Sequence, residues 1–84
     1  MTIPALQLMS RKACCLCDDA AAVLSSFVMQ GRCTLEVLDV DQDVALAARY
    51  GMDVPVLLYA DTVRLMHRIE QQNVELLLAE VVEC

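Results

Sequence analysis

The run Ala5-Leu6-Gln7-Leu8-Met9-Ser10-Arg11-Lys12-Ala13-Cys14-Cys15-Leu16-Cys17 decides how the rest of the chain is read. Its first part, Ala5 to Met9, alternates loosely about Gln7 and reads as a strand. Pro4 stands at the start, where a missing amide donor matters least. Ser10 to Ala13 is a short polar connection. After it the apolar period changes: Leu16, Ala20, Val23, Leu24 and Phe27 recur at helical spacing and predict a helix from Cys15 to Met29. Asp18 and Asp19 fall in its first turn, where the positive helix end favours them. Gly31 stands where a helix needs a left-handed stop. Three thiols therefore crowd the junction of a strand and a helix.

Outward from that junction, Thr34 to Val40 reads as a second strand. Asp39, Asp41 and Asp43 follow; either of the last two suits the cap of a short helix through Tyr50, with Gly51 as its stop. Pro55 opens a third strand, Val56 to Ala60. Asp61-Thr62 leaves room only for a tight turn before Val63 to Arg68, which predicts a hairpin, although the turn has no glycine. Val74, Leu77, Leu78, Val81 and Val82 fall at i, i+3, i+4, i+7 and i+8, an amphipathic helix starting between Glu70 and Asn73. The order is β-α-β-α-β-β-α. It specifies an α/β fold with a four-stranded mixed sheet and helices on both faces, its first elements forming a parallel βαβ unit. No linker or repeat interrupts the chain, so residues 1–84 read as one domain.

The bulk properties exclude several function classes. The chain is 58% hydrophobic but 4% aromatic, so its core must be aliphatic. Its net charge is −6, and apart from Arg11-Lys12 its basic residues are scattered singly. No basic stripe exists for a phosphate backbone, so no nucleic acid is expected as a partner. Ile3 to Met9 is far too short to span a membrane and lacks the basic flank of a signal peptide. A cytoplasmic monomer with no membrane attachment is the expectation.

Five cysteines could form a secreted disulfide framework, but the count is odd and three lie between positions 14 and 17. In a reducing compartment such a cluster points to redox or metal chemistry. Cys14 and Cys17 stand at i and i+3, on one face of a helix start and close enough to bridge, whereas Cys15 is turned roughly 100° from Cys14. A C-x-x-C pair beside a βαβ pattern signals thiol–disulfide exchange. Cys14 at the exposed lip is then the nucleophile, and Cys17, nearer the stripe of Ala20, Leu24 and Phe27, the resolving thiol. The helix amides, with Lys12 and Arg11, favour the thiolate; Asp18 and Asp19 oppose it. Two alternatives stay open: zinc, copper or an iron–sulfur cluster on Cys14, Cys15 and Cys17, and a redox-idle interaction domain. Structural zinc wants four ligands, and the remaining candidates, Cys33, His67 and Cys84, are single and distant. No metal site is therefore expected. Cys15 reads as a bystander or a secondary thiol, Cys33 as a small buried or half-exposed residue, Cys84 as incidental. His67 reads as a structural residue of the fourth strand, in phase with Val63 and Leu65. Met9, Met29, Met52 and Met66 read as core filling.

Two motifs, Ser10-Arg11-Lys12-Ala13-Cys14-Cys15-Leu16-Cys17 after the first strand and Val54-Pro55 before the third, carry a resemblance. Over essentially its whole length the chain resembles the short glutaredoxin-like proteins of the thioredoxin superfamily. That resemblance implies a thioredoxin/glutaredoxin-like fold and a disulfide reductase that binds no cofactor. It also implies a cis Pro55 beside the redox pair and a Val54 backbone that pairs with the substrate. Lys12 joins Val54 and Pro55 in the expected substrate-binding set, with Arg11 and Cys15 auxiliary. The expected partners are a disulfide-containing protein or glutathione, with glutathione or a reductase system supplying electrons. The chain departs from glutaredoxins at Asp53, where threonine is usual, and at Ile69-Glu70-Gln71-Gln72, where a Gly-Gly pair and an acidic cap are usual.

Overall fold

Strand β1 (Ala5–Ser10) lies inside a sheet of order β2-β1-β3-β4 in the computed structural model, which describes residues 3–82. It pairs in parallel with β2 (Thr34–Asp39) and antiparallel with β3 (Val56–Tyr59), which pairs antiparallel with β4 (Thr62–Met66). Helix α1 (Cys15–Met29) and helix α3 (Gln71–Val82) cover one face. A 3₁₀ turn (Val40–Gln42) and the short helix α2 (Val44–Tyr50) cover part of the other. The order β-α-β-α-β-β-α and the mixed sheet are those expected from the sequence.

The larger core joins Leu6, Leu8 and Leu57 of the sheet to Ala20, Leu24 and Phe27 of α1 and to Val74, Leu77 and Leu78 of α3. The smaller one joins Met9, Val56 and Leu58 to Val40 and Tyr50. Each large aliphatic or aromatic side chain so buried contributes about 1.5–3 kcal/mol. Strand β3 is covered on both faces, which is why Val56-Leu57-Leu58 is a continuous apolar run instead of an alternation.

Helix ends follow their side chains. Gly31 takes φ +74, and the amides of Gly31 and Arg32 donate to the carbonyls of Val28 (2.9 Å) and Phe27 (3.1 Å), a Schellman stop. Asp43, not Asp41, caps α2, accepting from the amides of Ala45 (2.8 Å) and Leu46 (3.4 Å). Asp39 caps the 3₁₀ turn at Asp41 N, so β2 ends at Asp39 instead of running through Val40. Helix α3 begins after Glu70, whose amide donates to Asn73 Oδ1 (3.2 Å). Gly51 ends α2 but with φ −55, so it is no left-handed stop; its role is steric and belongs to the site.

Three expectations shift. The hairpin turn is Ala60-Asp61, one residue earlier than expected, with φ +52 and +62, the type I′ signature. Strand β4 carries a bulge at Arg64: Leu57 faces Leu65 while Leu58 faces Val63. The extra residue breaks the phase between Val63 and Leu65, and β4 stops at Met66. His67 therefore lies beyond the strand and is exposed, not a structural strand residue. The methionines also differ from expectation. Met9 is buried, but Met66 is exposed, Met29 (88% exposed) ends α1, and Met52 (94% exposed) sits on the α2–β3 loop, so three of the four fill no core.

Candidate active site

The C-terminal end of β1 and the N-terminal end of β3 are neighbours, with Met9 opposite Val56. The connection carrying Cys14 and the one carrying Val54-Pro55 therefore leave the same end of the sheet. Asp39, opposite Ser10, brings the β2–α2 connection there, and Met66, opposite Val56, brings the start of the β4–α3 connection.

Cys14 is the N-cap of α1, with extended backbone (φ −116) following Ala13 at φ +57. Holding a residue with a Cβ in that left-handed region costs on the order of 1 kcal/mol, and here it turns the chain into the helix. The Cys14 sulfur acts as the capping acceptor, receiving the Cys17 amide at 3.2 Å. The sulfurs of Cys14 and Cys17 lie at disulfide-bonding distance, with Cα atoms 5.2 Å apart. Cys14 is half-buried, Cys17 is 1% exposed under the first turn, and Cys15 is an exposed free thiol. Cys33 is buried, and its burial pushes its thiol pKa up, so it stays protonated and inert. Cys84 lies outside the described residues. Among the described residues, no three His, Cys, Asp or Glu side chains are grouped to hold a metal ion.

Arg11 does something other than face the sulfur. Its Nε and Nη2 donate to Asp41 Oδ2 (3.0 Å) and Oδ1 (2.9 Å), and its Nη1 donates to the Gly51 carbonyl (3.0 Å). One guanidinium thus ties the Cys14 connection to the 3₁₀ turn and to the end of α2. Gly51 leaves the space: a Cβ there would meet Ala47 O at 2.5 Å and Arg11 Nη2 at 3.1 Å. The expected help of Arg11 to the thiolate is spent on Asp41. Lys12 is exposed, with no ion-pair partner among the described residues.

The Arg11 hydrogen bond, then its charge and that of Lys12, hold the Asp41 carboxyl below its ordinary pKa, while the same hydrogen bond raises Arg11. A depressed carboxylate adds stability that is complete above the unfolded value of about 3.9 and is lost as pH falls through the folded value. Arg11→Met removes that contribution. The gap in unfolding free energy between wild type and variant, from urea titrations, is expected to shrink as pH drops from 7 to below about 3. A gap independent of pH would show that the ion pair contributes nothing.

The Val54–Pro55 peptide bond is cis, Pro55 is buried, and Val54 is half-buried. His67, in the left-handed region at φ +70, donates its amide to Pro55 O (2.8 Å) and its Nε2 to Asp53 Oδ1 (2.9 Å). The sequence reading missed this pair, because nothing in Met66-His67-Arg68 marks the break after β4. An open cleft of about 250 Å³ separates Leu16 and Val23 of α1 from Arg68, Ile69 and Glu70.

A dithiol at the N-terminus of α1, on a sheet of this order, defines a domain of the thioredoxin superfamily. More narrowly, the chain belongs to the family described as Glutaredoxin-like domain (DUF836), whose model matches residues 5–79. It is similar to a structural-genomics target protein from X. campestris, at 27% identity over 89% of this chain and 96% of that one, with a TM-score of 0.74. A mutant thioredoxin from Halobacterium salinarum shares the fold at 22% identity, covering 95% of this chain and 75% of its own, with a TM-score of 0.71. A malarial protein does so at 17% identity, covering 94% and 97%, with a TM-score of 0.69. No curated protein matches the chain.

Proposed function

We propose that this chain is a cytoplasmic thiol–disulfide oxidoreductase, acting as a monomer on a disulfide-containing protein or on glutathione disulfide. The supporting observation is the asymmetry of the pair: Cys14 half-buried at the helix cap, Cys17 buried below it, the sulfurs at bonding distance. The Cys14 thiolate attacks one sulfur of the substrate disulfide. That S–S bond breaks, one substrate sulfur leaves as a thiolate and takes a proton, and the other becomes bonded to Cys14. Cys17 then loses its proton and attacks the Cys14 sulfur. The second substrate thiol leaves and the Cys14–Cys17 bridge closes, two electrons having passed to the substrate. Two equivalents of glutathione, or a flavoprotein reductase, reopen the bridge, so no bound cofactor is needed.

The roles divide by position. The amide of Cys17 aims at the Cys14 sulfur (3.2 Å) and stabilises negative charge there once the bridge is open. Val54 offers its backbone to the substrate beside Pro55, and Lys12 supplies an exposed cation for a substrate carboxylate. Arg11 holds the loop. Cys15 is a bystander to the exchange.

A Cys17→Ser variant tests this reading. Incubated with oxidised glutathione, it is expected to gain one glutathionyl group on Cys14, seen by intact-mass and peptide mass spectrometry and removed by dithiothreitol. A variant that stays unmodified, or is modified chiefly on Cys15, overturns the assignment.

A further inference from the structure

Two loops are pinned together at the dithiol, and their charges do not balance. Arg11 lies three residues before Cys14, and its Nη1 donates to the Gly51 carbonyl (3.0 Å), two residues before Asp53. Both oxygens of Asp41 hold the same guanidinium (2.9 and 3.0 Å), so the Arg11 charge is met by a carboxylate. Asp53 has no such cation. Among the described residues its side chain pairs only with His67 Nε2 (2.9 Å). A carboxylate only accepts, so the imidazole donates; with the ring neutral, Asp53 keeps its full charge. That side chain is 48% exposed. Asp18 and Asp19, exposed near the start of α1, form no ion pair among the described residues. On the β4–α3 connection Arg68 and Glu70 offset each other. Lys12 is then the one cation set against Asp18, Asp19 and Asp53, on a chain with twelve acidic and six basic residues.

We infer that Asp53 is a specificity-determining residue: its carboxylate selects disulfides that carry positive charge beside the sulfur over anionic ones. The inference rests on the oxidoreductase reading and names the substrate class of that site, a disulfide flanked by amino, lysine or arginine groups. An exposed charge acts on a second one over about 8–10 Å at physiological salt. A disulfide that reaches Cys14 enters beside the Asp53 loop, because Arg11 ties that loop to the Cys14 connection. Field of one sign at such an opening raises the local concentration of the opposite charge and sets which substrate arrives. The sulfur exchange itself proceeds by the steps given above. Glutathione disulfide, whose carboxylates outnumber its ammonium groups, is accepted against this field.

The test is a single turnover of pre-reduced protein with excess disulfide. Samples are stopped with acid, remaining thiols are alkylated, and closure of the Cys14–Cys17 bridge is read from intact mass. Three small disulfides are compared: cystamine, which is cationic, glutathione disulfide, which is anionic, and hydroxyethyl disulfide, which is uncharged. Asp53→Asn keeps the Oδ1 acceptor for His67 and the bond from the residue 53 amide to Tyr50 O (2.8 Å), so it removes charge and little else. In this variant the second-order rate constant for cystamine is expected to fall about two- to threefold. That for glutathione disulfide should rise by a similar factor, with hydroxyethyl disulfide unchanged. For wild type, raising KCl from about 20 to about 200 mM should slow cystamine and speed glutathione disulfide. Equal changes on all three disulfides in Asp53→Asn overturn the inference, because they place the carboxylate's effect on the Cys14 thiolate. Unchanged rates on all three overturn it as well. If reduced wild type closes the bridge with none of the three, the oxidoreductase reading itself fails and takes this inference with it.

Discussion

Replacing Cys14 by serine is expected to lower the rate of disulfide reduction by at least about 10³-fold, because it removes the covalent route itself. The substitution is informative because it should spare the fold. The Cys14 sulfur serves as the N-cap acceptor for the Cys17 amide, and serine is among the best N-cap residues. Helix α1 therefore keeps its cap, and the denaturation midpoint of reduced Cys14→Ser should match or exceed that of the reduced wild type. Activity is lost while stability is kept, so the loss reports chemistry. Cys15→Ser is the control one residue away. Its thiol is exposed and stands apart from the bridged pair, so its activity should stay within about twofold of wild type. Steady-state reduction of hydroxyethyl disulfide by glutathione, with urea unfolding under reducing conditions, decides the matter. A Cys14→Ser protein that retains a tenth of wild-type activity would move the nucleophile to Cys15.

What the sequence displayed, and what it hid, divides along physical lines. The helical period from Ala20 to Phe27 and from Val74 to Leu78 is set by burial against one sheet face, and burial is what apolar spacing records, whereas Leu16, counted in the same stripe, is exposed. Gly31 was legible because a left-handed stop leaves a chemical mark. Asp43 was legible as one of two capping candidates; choosing it over Asp41 needed Arg11, thirty residues from Asp41 in the chain and invisible to local pattern. Gly51 looked like a second stop, yet its φ of −55 suits any residue, and a Cβ there is kept out by the Ala47 carbonyl first and by Arg11 second. The β4 bulge was hidden because Val63-Arg64-Leu65 alternates as a regular strand does; only pairing with Leu57 and Leu58 exposes the extra residue. His67 was misplaced for that reason and because nothing in Met66-His67-Arg68 marks the end of β4. At the site, the spacing of Cys14 and Cys17 was readable, because i and i+3 proximity is a local property of helices. The convergence of Arg11, Asp41, Gly51, Asp53 and His67 at one end of the sheet is tertiary, and no spacing encodes it.

The largest loss of stability is expected from Phe27→Ala. Phe27 is the only phenylalanine of the chain and is 1% exposed. It lies where α1 meets the sheet and α3, in the cluster that also holds Leu24, Leu57 and Leu78. Truncating a buried phenylalanine costs about 3–5 kcal/mol, the transfer term plus the cavity. A domain of this size is stable by roughly 4–13 kcal/mol, so the change removes a large part of the total. One local contact adds to that cost. The Phe27 carbonyl accepts the Arg32 amide in the Schellman stop, and the Arg32 guanidinium stacks over the ring at 5.1 Å, a contact that alanine loses. The ring is therefore covered from the solvent side by the same residue that closes the helix. With a denaturant slope of about 1–3 kcal/mol per molar urea, the midpoint should fall by more than about 1 M. The site should feel the change less than the fold does. Cys14 and Cys17 sit at the other end of α1, held by their own cap and by the β1–α1 connection, so the folded fraction of Phe27→Ala should still accept glutathione on Cys14 when Cys17 is also replaced by serine. A midpoint shift below about 0.3 M would mean that the core is carried by its leucines and valines alone.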